Sequence, residues 1–134
     1  MSKSLTFQSL KDSPSSIEAE RAVLGGILID NESWDKIAGI LQVDDFYHEL
    51  NRKIFSCIVD LSNESIPFDF VTINEKVNIG NEPSFLSYLK DIINQTPSAA
   101  NIVSYANIVR EQSIVRQLIN AVSYTHLTLP TSLI

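Results

Sequence analysis

"SIEAERAVLGGILIDNESWDKI", Ser16 to Ile37, contains two helix starts and a glycine pair within 22 residues. Ser15 or Ser16 can cap a helix by accepting a hydrogen bond from one of its first free N–H groups. Glu18 and Glu20 then lie in the first turn, where the helix dipole favours acids. Ile17, Val23, Leu24, Ile27 and Leu28 supply an apolar face at helical spacing. Asp30 or Asn31 caps a second helix, in which Trp34, Ile37, Ala38 and Leu41 fall at i, i+3, i+4 and i+7, one stripe of its surface. Together with the helices that follow, the stretch predicts an all-α bundle.

Gly25 and Gly26 stand in the middle of the first helix, where each costs about 1 kcal/mol relative to alanine. Such a pair needs compensation, so another helix is expected to cross closely where there is no Cβ. They are not a phosphate loop, because neither G-x-G-x-x-G nor G-x-x-x-x-G-K-[ST] occurs in the chain.

Toward the C-terminus, a turn "VDDFYHE" leads to a third helix from about Leu50 to Leu61, with Leu50, Ile54, Cys57, Ile58 and Leu61 inward. The loop "SNESIPFD" follows. Asp69 can cap a fourth helix reaching about Val77, "NIGNEPS" breaks the chain, and Ser84 starts a fifth with Phe85, Leu86, Leu89, Ile92 and Ile93. Thr96-Pro97 stops it, since proline disfavours the α conformation in the residue before it. The last helix runs from about Ser98 to Asn120 and changes faces. Ile102, Tyr105, Ala106 and Val109 share one side, whereas Ile114, Val115, Leu118 and Ile119 cluster roughly half a turn around, at 100° per residue. The late face needs a partner from outside the domain. Toward the N-terminus, residues 1–14 are Ser-rich and aperiodic, and read as a flexible arm.

With 134 residues and 44% hydrophobic side chains, the chain can fill one core. The longest apolar run, Ala22 to Ile29, is far below the roughly 20 residues that span a bilayer, and no signal peptide is visible, which predicts a cytoplasmic protein with no membrane contact. The net charge is -6, and all 16 acids and all 10 bases precede residue 121. Such a surface repels phosphate, so any nucleic acid must be handled by another part.

Few side chains invite chemistry. Glu18, Glu20, Asp44, Asp45, Asp60 and Asp69 have no second catalytic group at a diagnostic spacing, and read as solvated or capping acids. His48 has no nearby ligands for a metal and reads as a surface or turn residue. Cys57 recurs with Ile54, Ile58 and Leu61, where a lone cysteine serves as a small hydrophobe. No catalytic, cofactor-binding or metal residue is expected.

Four blocks in linear order resemble a known family. "SIEAERAVLGGILIDNESWDKI" from Ser16, "DDFYHELNRKIF" from Asp44, "PFDFVTI" from Pro67 and "QTPSAANIVSYANIVRE" from Gln95 are similar to the N-terminal domain of the bacterial replicative DNA helicase, DnaB type. The resemblance covers about residues 14–120, and its specificity comes from the sum of the blocks. Asn51 stands where the family commonly has histidine, and the stretch after Val77 is shorter and lacks a glycine pair before "YL". The resemblance implies a compact helical collar domain over residues 15–97, followed at 98–120 by the first arm of a truncated helical hairpin. It implies six copies assembled as a homohexamer through paired hairpins, with primase docked on the collar. ATP, Mg²⁺ and single-stranded DNA would belong to a motor domain that follows, leaving no cofactor here. Ile114, Val115, Leu118 and Ile119 would then form the subunit or primase interface.

"VSYTHLTLPT", Val122 to Thr131, has no acid, lysine or arginine. It is similar to a translation of the transposon-end adapter used in preparing sequencing libraries, and Ala121 and Ser132 fit the flanking bases. Residues 121–134 are therefore expected to be a non-native tail, with native sequence ending at Asn120. A free-standing helical adaptor that never had a motor is the competing reading. A small helical enzyme using Cys57 or His48 is a third, in which alanine at those positions would abolish an activity.

Overall fold

Ser16 caps the first helix: its Oγ accepts the Ala19 N–H at 3.1 Å. The computed structural model describes residues 15–77 and 83–132, and the backbone alone for 123–132. The expected arm at 1–14 and most of the "NIGNEPS" break lie outside the described residues. Among the described residues six α-helices follow one another: α1 Ile17–Ile29, α2 Trp34–Ile37, α3 Glu49–Asn63, α4 Phe70–Val77, α5 Pro83–Gln95 and α6 Ile102–Ser132. Short 3₁₀ turns at Asn31–Ser33 and Val43–Asp45 lie between them, and there is no strand among the described residues.

Helix α1 is the axis of the bundle, packed by α6, α5 and α3, with a continuous buried run from Val23 to Leu28. The glycine pair makes this possible. A Cβ on Gly25 would stand 1.9 Å from Thr96 Oγ1 and 3.0 Å from the Ile92 carbonyl, and one on Gly26 would meet Ile102 Cδ1 at 3.0 Å. The close crossing is made by the end of α5 and the start of α6. Ile17, expected on the inner face, remains exposed beyond the last packed turn.

The second helix is shorter than its stripe suggests. A 3₁₀ turn capped by Asp30 precedes α2, and the chain leaves the helix after Ile37, so Ala38 faces solvent while Leu41 still reaches the core from a turn. Asn31 explains the early kink: its Nδ2 donates to the carbonyls of Ile27 and Phe68, and its Oδ1 accepts the Phe68 N–H at 2.8 Å. This amide clips the loop before α4 to the end of α1. Beneath it Trp34 packs on Phe55 and Phe68, and Phe46 on Phe55, with ring centroids 4.6–5.9 Å apart.

Asp69 and Thr72 cap α4 reciprocally, each backbone N–H donating to the other side chain at 2.9 Å. Helix α5 begins one residue earlier than expected, because Pro83 is suited to the first helical turn. Helix α6 begins four residues late, after Ser98 Oγ has accepted the Ala100 N–H at 3.2 Å in a local turn. It also runs past Asn120, to Ser132 and through Pro130. Propagating a helix is far easier than starting one, so the segment set apart by its composition extends the existing rod.

Candidate interaction surfaces

The two faces of α6 have different fates. Ile102, Ala106, Val109 and Ser113 are buried against the domain. Tyr105, expected with them, is exposed and lines a groove of about 520 Å³ with Ile17, Arg21 and Pro97. On the opposite side Ile114, Val115 and Leu118 are 40%, 41% and 59% exposed, and Val122 is 68% exposed; Ile119 is half-buried. Ile108, Val115 and Val122 continue one line at seven-residue spacing along this outer face. Fully burying such a side chain contributes roughly 1.5–3 kcal/mol, so a partner surface covering this line would gain appreciably.

What fixes the inner face is polar. Asp45, 2% exposed, accepts hydrogen bonds from Arg110 Nη1 and Ser113 Oγ, both at 2.8 Å on Oδ1, and from the Gln42 N–H on Oδ2. Arg116 Nη2 donates to the Asp45 carbonyl at 2.8 Å. The last helix is thereby locked in rotation, and its outer stripe is aimed away from the domain.

A second buried carboxylate holds the same loop from the other side. Glu20, 1% exposed, accepts the backbone N–H groups of Tyr47 and His48 and, at 2.8 Å, Asn51 Nδ2. Asn51 Oδ1 in turn accepts from the Tyr88 hydroxyl. Burial raises the Tyr88 phenol above its usual range, against the lowering effect of the nearby Arg21 and the Asn51 bond. Glu20 thus departs from its reading as a solvated or capping acid, whereas Asp45 is buried yet keeps the capping role, accepting the Gln42 N–H at the start of its 3₁₀ turn. Both close the N-terminal approach to α3, Glu20 from 27–31 residues away. Sequence reasoning missed them, along with Asn51, because an acid in a first helical turn or beside a turn reads as surface.

The other candidates fall into structural roles. Glu18, Asp44 and Asp60 are exposed, and Asp69 is the α4 cap. His48 stands before α3 with its ring edge-on to Tyr47, 5.3 Å between centroids. Among the described residues no three His, Cys, Asp or Glu side chains lie close enough to share a metal ion. Among them also, no helix is long and apolar enough to cross a membrane.

Cys57 is buried on α3, and burial, with Asp60 adding to it, pushes its thiol up to about 11 from 9.0. A raised thiol favours the folded state fully below the unfolded value, and that advantage is lost as pH rises toward the folded one. Two results are expected. An aromatic disulfide reagent at pH 8 should modify Cys57 only at the rate of unfolding, and the urea midpoint should fall between about pH 9 and 11 less steeply in Cys57→Ala than in the parent. Rapid modification of the folded protein would contradict the burial.

Comparison with known proteins places these features in context. Residues 12–111 match the family described as DnaB-like helicase N terminal domain. The replicative DNA helicase DnaB of Haemophilus influenzae is 42% identical over 110 residues, covering 80% of this chain and 24% of that protein. The replicative DNA helicase DnaC of Bacillus subtilis is 40% identical over 109 residues, covering 79% and 24%. The chain therefore spans about a quarter of the length of these curated relatives. The crystal structure of the N-terminal domain of DnaB helicase from Mycobacterium tuberculosis superposes with a TM-score of 0.84 at 28% identity, covering 90% of this chain and 89% of that one. The N-terminal domain of DnaB helicase from Helicobacter pylori, described with its interactions with primase, gives 0.74 at 24% identity over 92% and 97%.

Proposed function

This chain belongs to the DnaB-like helicase N-terminal domain family, and from that membership we propose that it is the collar portion of an ATP-dependent replicative DNA helicase that unwinds duplex DNA at the replication fork. Its work is assembly and docking: it brings six copies together and receives primase. ATP, Mg²⁺ and single-stranded DNA are engaged by a motor domain outside these residues, and the site of action is the cytoplasm. An acidic balance of -6 suits a part that does not grip phosphate.

The observation that carries this reading is the outer stripe of α6, apolar and exposed, while the side of the same helix that packs on the domain is buried only as far as Ser113. Contiguous apolar surface of this kind marks an interaction site. Ile114, Val115, Leu118 and Ile119 are proposed to form it as the first arm of a hairpin, paired with a neighbouring subunit or with primase. The H. pylori relative's interaction with primase supports the second partner. Residues 121–134 are proposed to be adapter-derived, so the natural stripe would continue differently beyond Asn120. Reading the coding DNA past the Asn120 codon tests this, and a helicase must run on into G-x-x-x-x-G-K-[ST].

The functional test is Val115→Asp in the full-length protein. A carboxylate placed in an apolar interface should weaken both self-association, by light scattering, and primase binding, by calorimetry, at least about tenfold, the equivalent of 1.4 kcal/mol. Thermal unfolding of the isolated domain should hardly change, because Val115 is already 41% exposed. Unchanged oligomeric state and primase affinity would exclude the interface.

A further inference from the structure

The groove that Tyr105 lines runs between the first turns of α1 and the connection from α5 to α6, and its volume of about 520 Å³ lies in the range of roughly 300–1,000 Å³ usual for binding pockets. Its lining is largely apolar. Ile92 is buried beneath it, Ala22 and Pro97 line it, and Ile17 and Tyr105 stand beside it 40% and 38% exposed. Glu18 and Arg21 are the charges on its α1 side. Large apolar side chains left open around a concavity mark a surface that something covers.

The groove opens where α1 begins. Ile17 and Glu18 are the first residues of the helix, directly after the Ser16 cap, whose backbone is extended at φ -135° and ψ 98°. The residues just upstream suit the groove in composition. "LTFQSL", Leu5 to Leu10, offers Leu5, Phe7 and Leu10 without a charge, and Lys11 and Asp12, opposite in sign to Glu18 and Arg21, follow it. At no more than about 3.6 Å per residue, the five to ten residues back from Ser15 can span up to about 18–36 Å. The helix from Ile17 to Ala22 is only about 7.5 Å long, so the reach is ample. A tether this short also places the segment at an effective concentration in the millimolar range.

We propose that the groove seats the chain's own N-terminal segment, with Leu5, Phe7 and Leu10 covering Ile17, Pro97 and Tyr105, and with Lys11 and Asp12 beside Glu18 and Arg21. A second copy of the chain would bring the same side chains without the advantage of the tether. Seated there, the segment straps α1 to the α5–α6 connection, and a protein that uses this face must first displace it.

The test uses the whole chain with a nitroxide on Ser4→Cys in a Cys57→Ala background, read as paramagnetic broadening of amide NMR signals. Ser98, Asn101 and Tyr105 should broaden strongly, while Val71 and Lys76 on α4 stay sharp. Phe7→Ala with Leu10→Ala, which changes only the segment, should remove most of that broadening, and Tyr105→Ala should do the same from the groove side. A mixture of nitroxide-bearing chain without isotope and isotope-labelled chain without nitroxide should show no broadening of these residues. Broadening in the mixture would assign the groove to a second copy and overturn the proposal. So would sharp signals at Asn101 and Tyr105, equal broadening on α4, or broadening unchanged by Phe7→Ala with Leu10→Ala.

Discussion

Replacing Glu20 with alanine is expected to cost about 3 kcal/mol or more of stability, a large share of the roughly 5–15 kcal/mol by which a domain is folded. Each hydrogen bond to a charged group contributes about 1.5–3 kcal/mol, and Glu20 accepts three. Removing the carboxylate also relieves its own desolvation, so the net loss stays below their sum. Two backbone N–H groups and the Asn51 amide would be left facing a void. Glu20→Gln separates charge from shape: one oxygen remains to accept, but the new NH₂ opposes an N–H donor, and a smaller loss of about 2 kcal/mol is expected. Urea unfolding followed by circular dichroism measures both. A loss under about 1 kcal/mol for Glu20→Ala would mean that the loop before α3 is held by something else.

The second large effect is at the helix crossing. Gly25→Ala should gain about 1 kcal/mol of helix propensity and lose more than it gains. The new methyl would lie 1.9 Å from Thr96 Oγ1 and 2.7 Å from its Cβ. Thr96 cannot swing away freely, because its hydroxyl donates to the Ile92 carbonyl at 2.8 Å, and that carbonyl is itself 3.0 Å from the added carbon. Overpacking against such fixed atoms costs typically 1–3 kcal/mol and occasionally more, and a net loss of about 2 kcal/mol is expected. Gly26→Ala is the comparison. Its nearest neighbour is the tip of Ile102, 3.0 Å away on a flexible side chain, so the change should be close to neutral. Equal melting temperatures for the two variants would show that the crossing is looser than described.

The inner faces of the longer helices could be read from sequence because they rest on local periodicity. Ile54, Ile58 and Leu61 on α3, and Phe85, Leu89 and Ile92 on α5, recur at helical spacing and are buried. The Ser16 and Asp69 caps were legible for the same reason, since each bonds three residues away. The short α2 was not, because the 3₁₀ kink that precedes it is held by Asn31 bonding Phe68, 37 residues on. Nor were Glu20 and Asp45, whose donors lie 27–31 and, across to α6, 65–71 residues distant. No window of sequence contains such pairs. The outer stripe of α6 was visible as apolar spacing turned away from the earlier stripe, yet the groove beside Tyr105 was not, because α1 and the α5–α6 connection come together only in the fold.

The burial of α1 has a consequence for synthesis. Its inner positions emerge from the ribosome first, but the surfaces that cover the glycine pair belong to Ile92, Thr96 and Ile102, and the clamp on Asp45 requires Arg110, Ser113 and Arg116. The nascent chain must keep its most apolar helix waiting until nearly everything else has been translated. A gene cut after codon 97 would leave that helix covered by α3 and α5 alone, without the α6 surface that closes over Gly26.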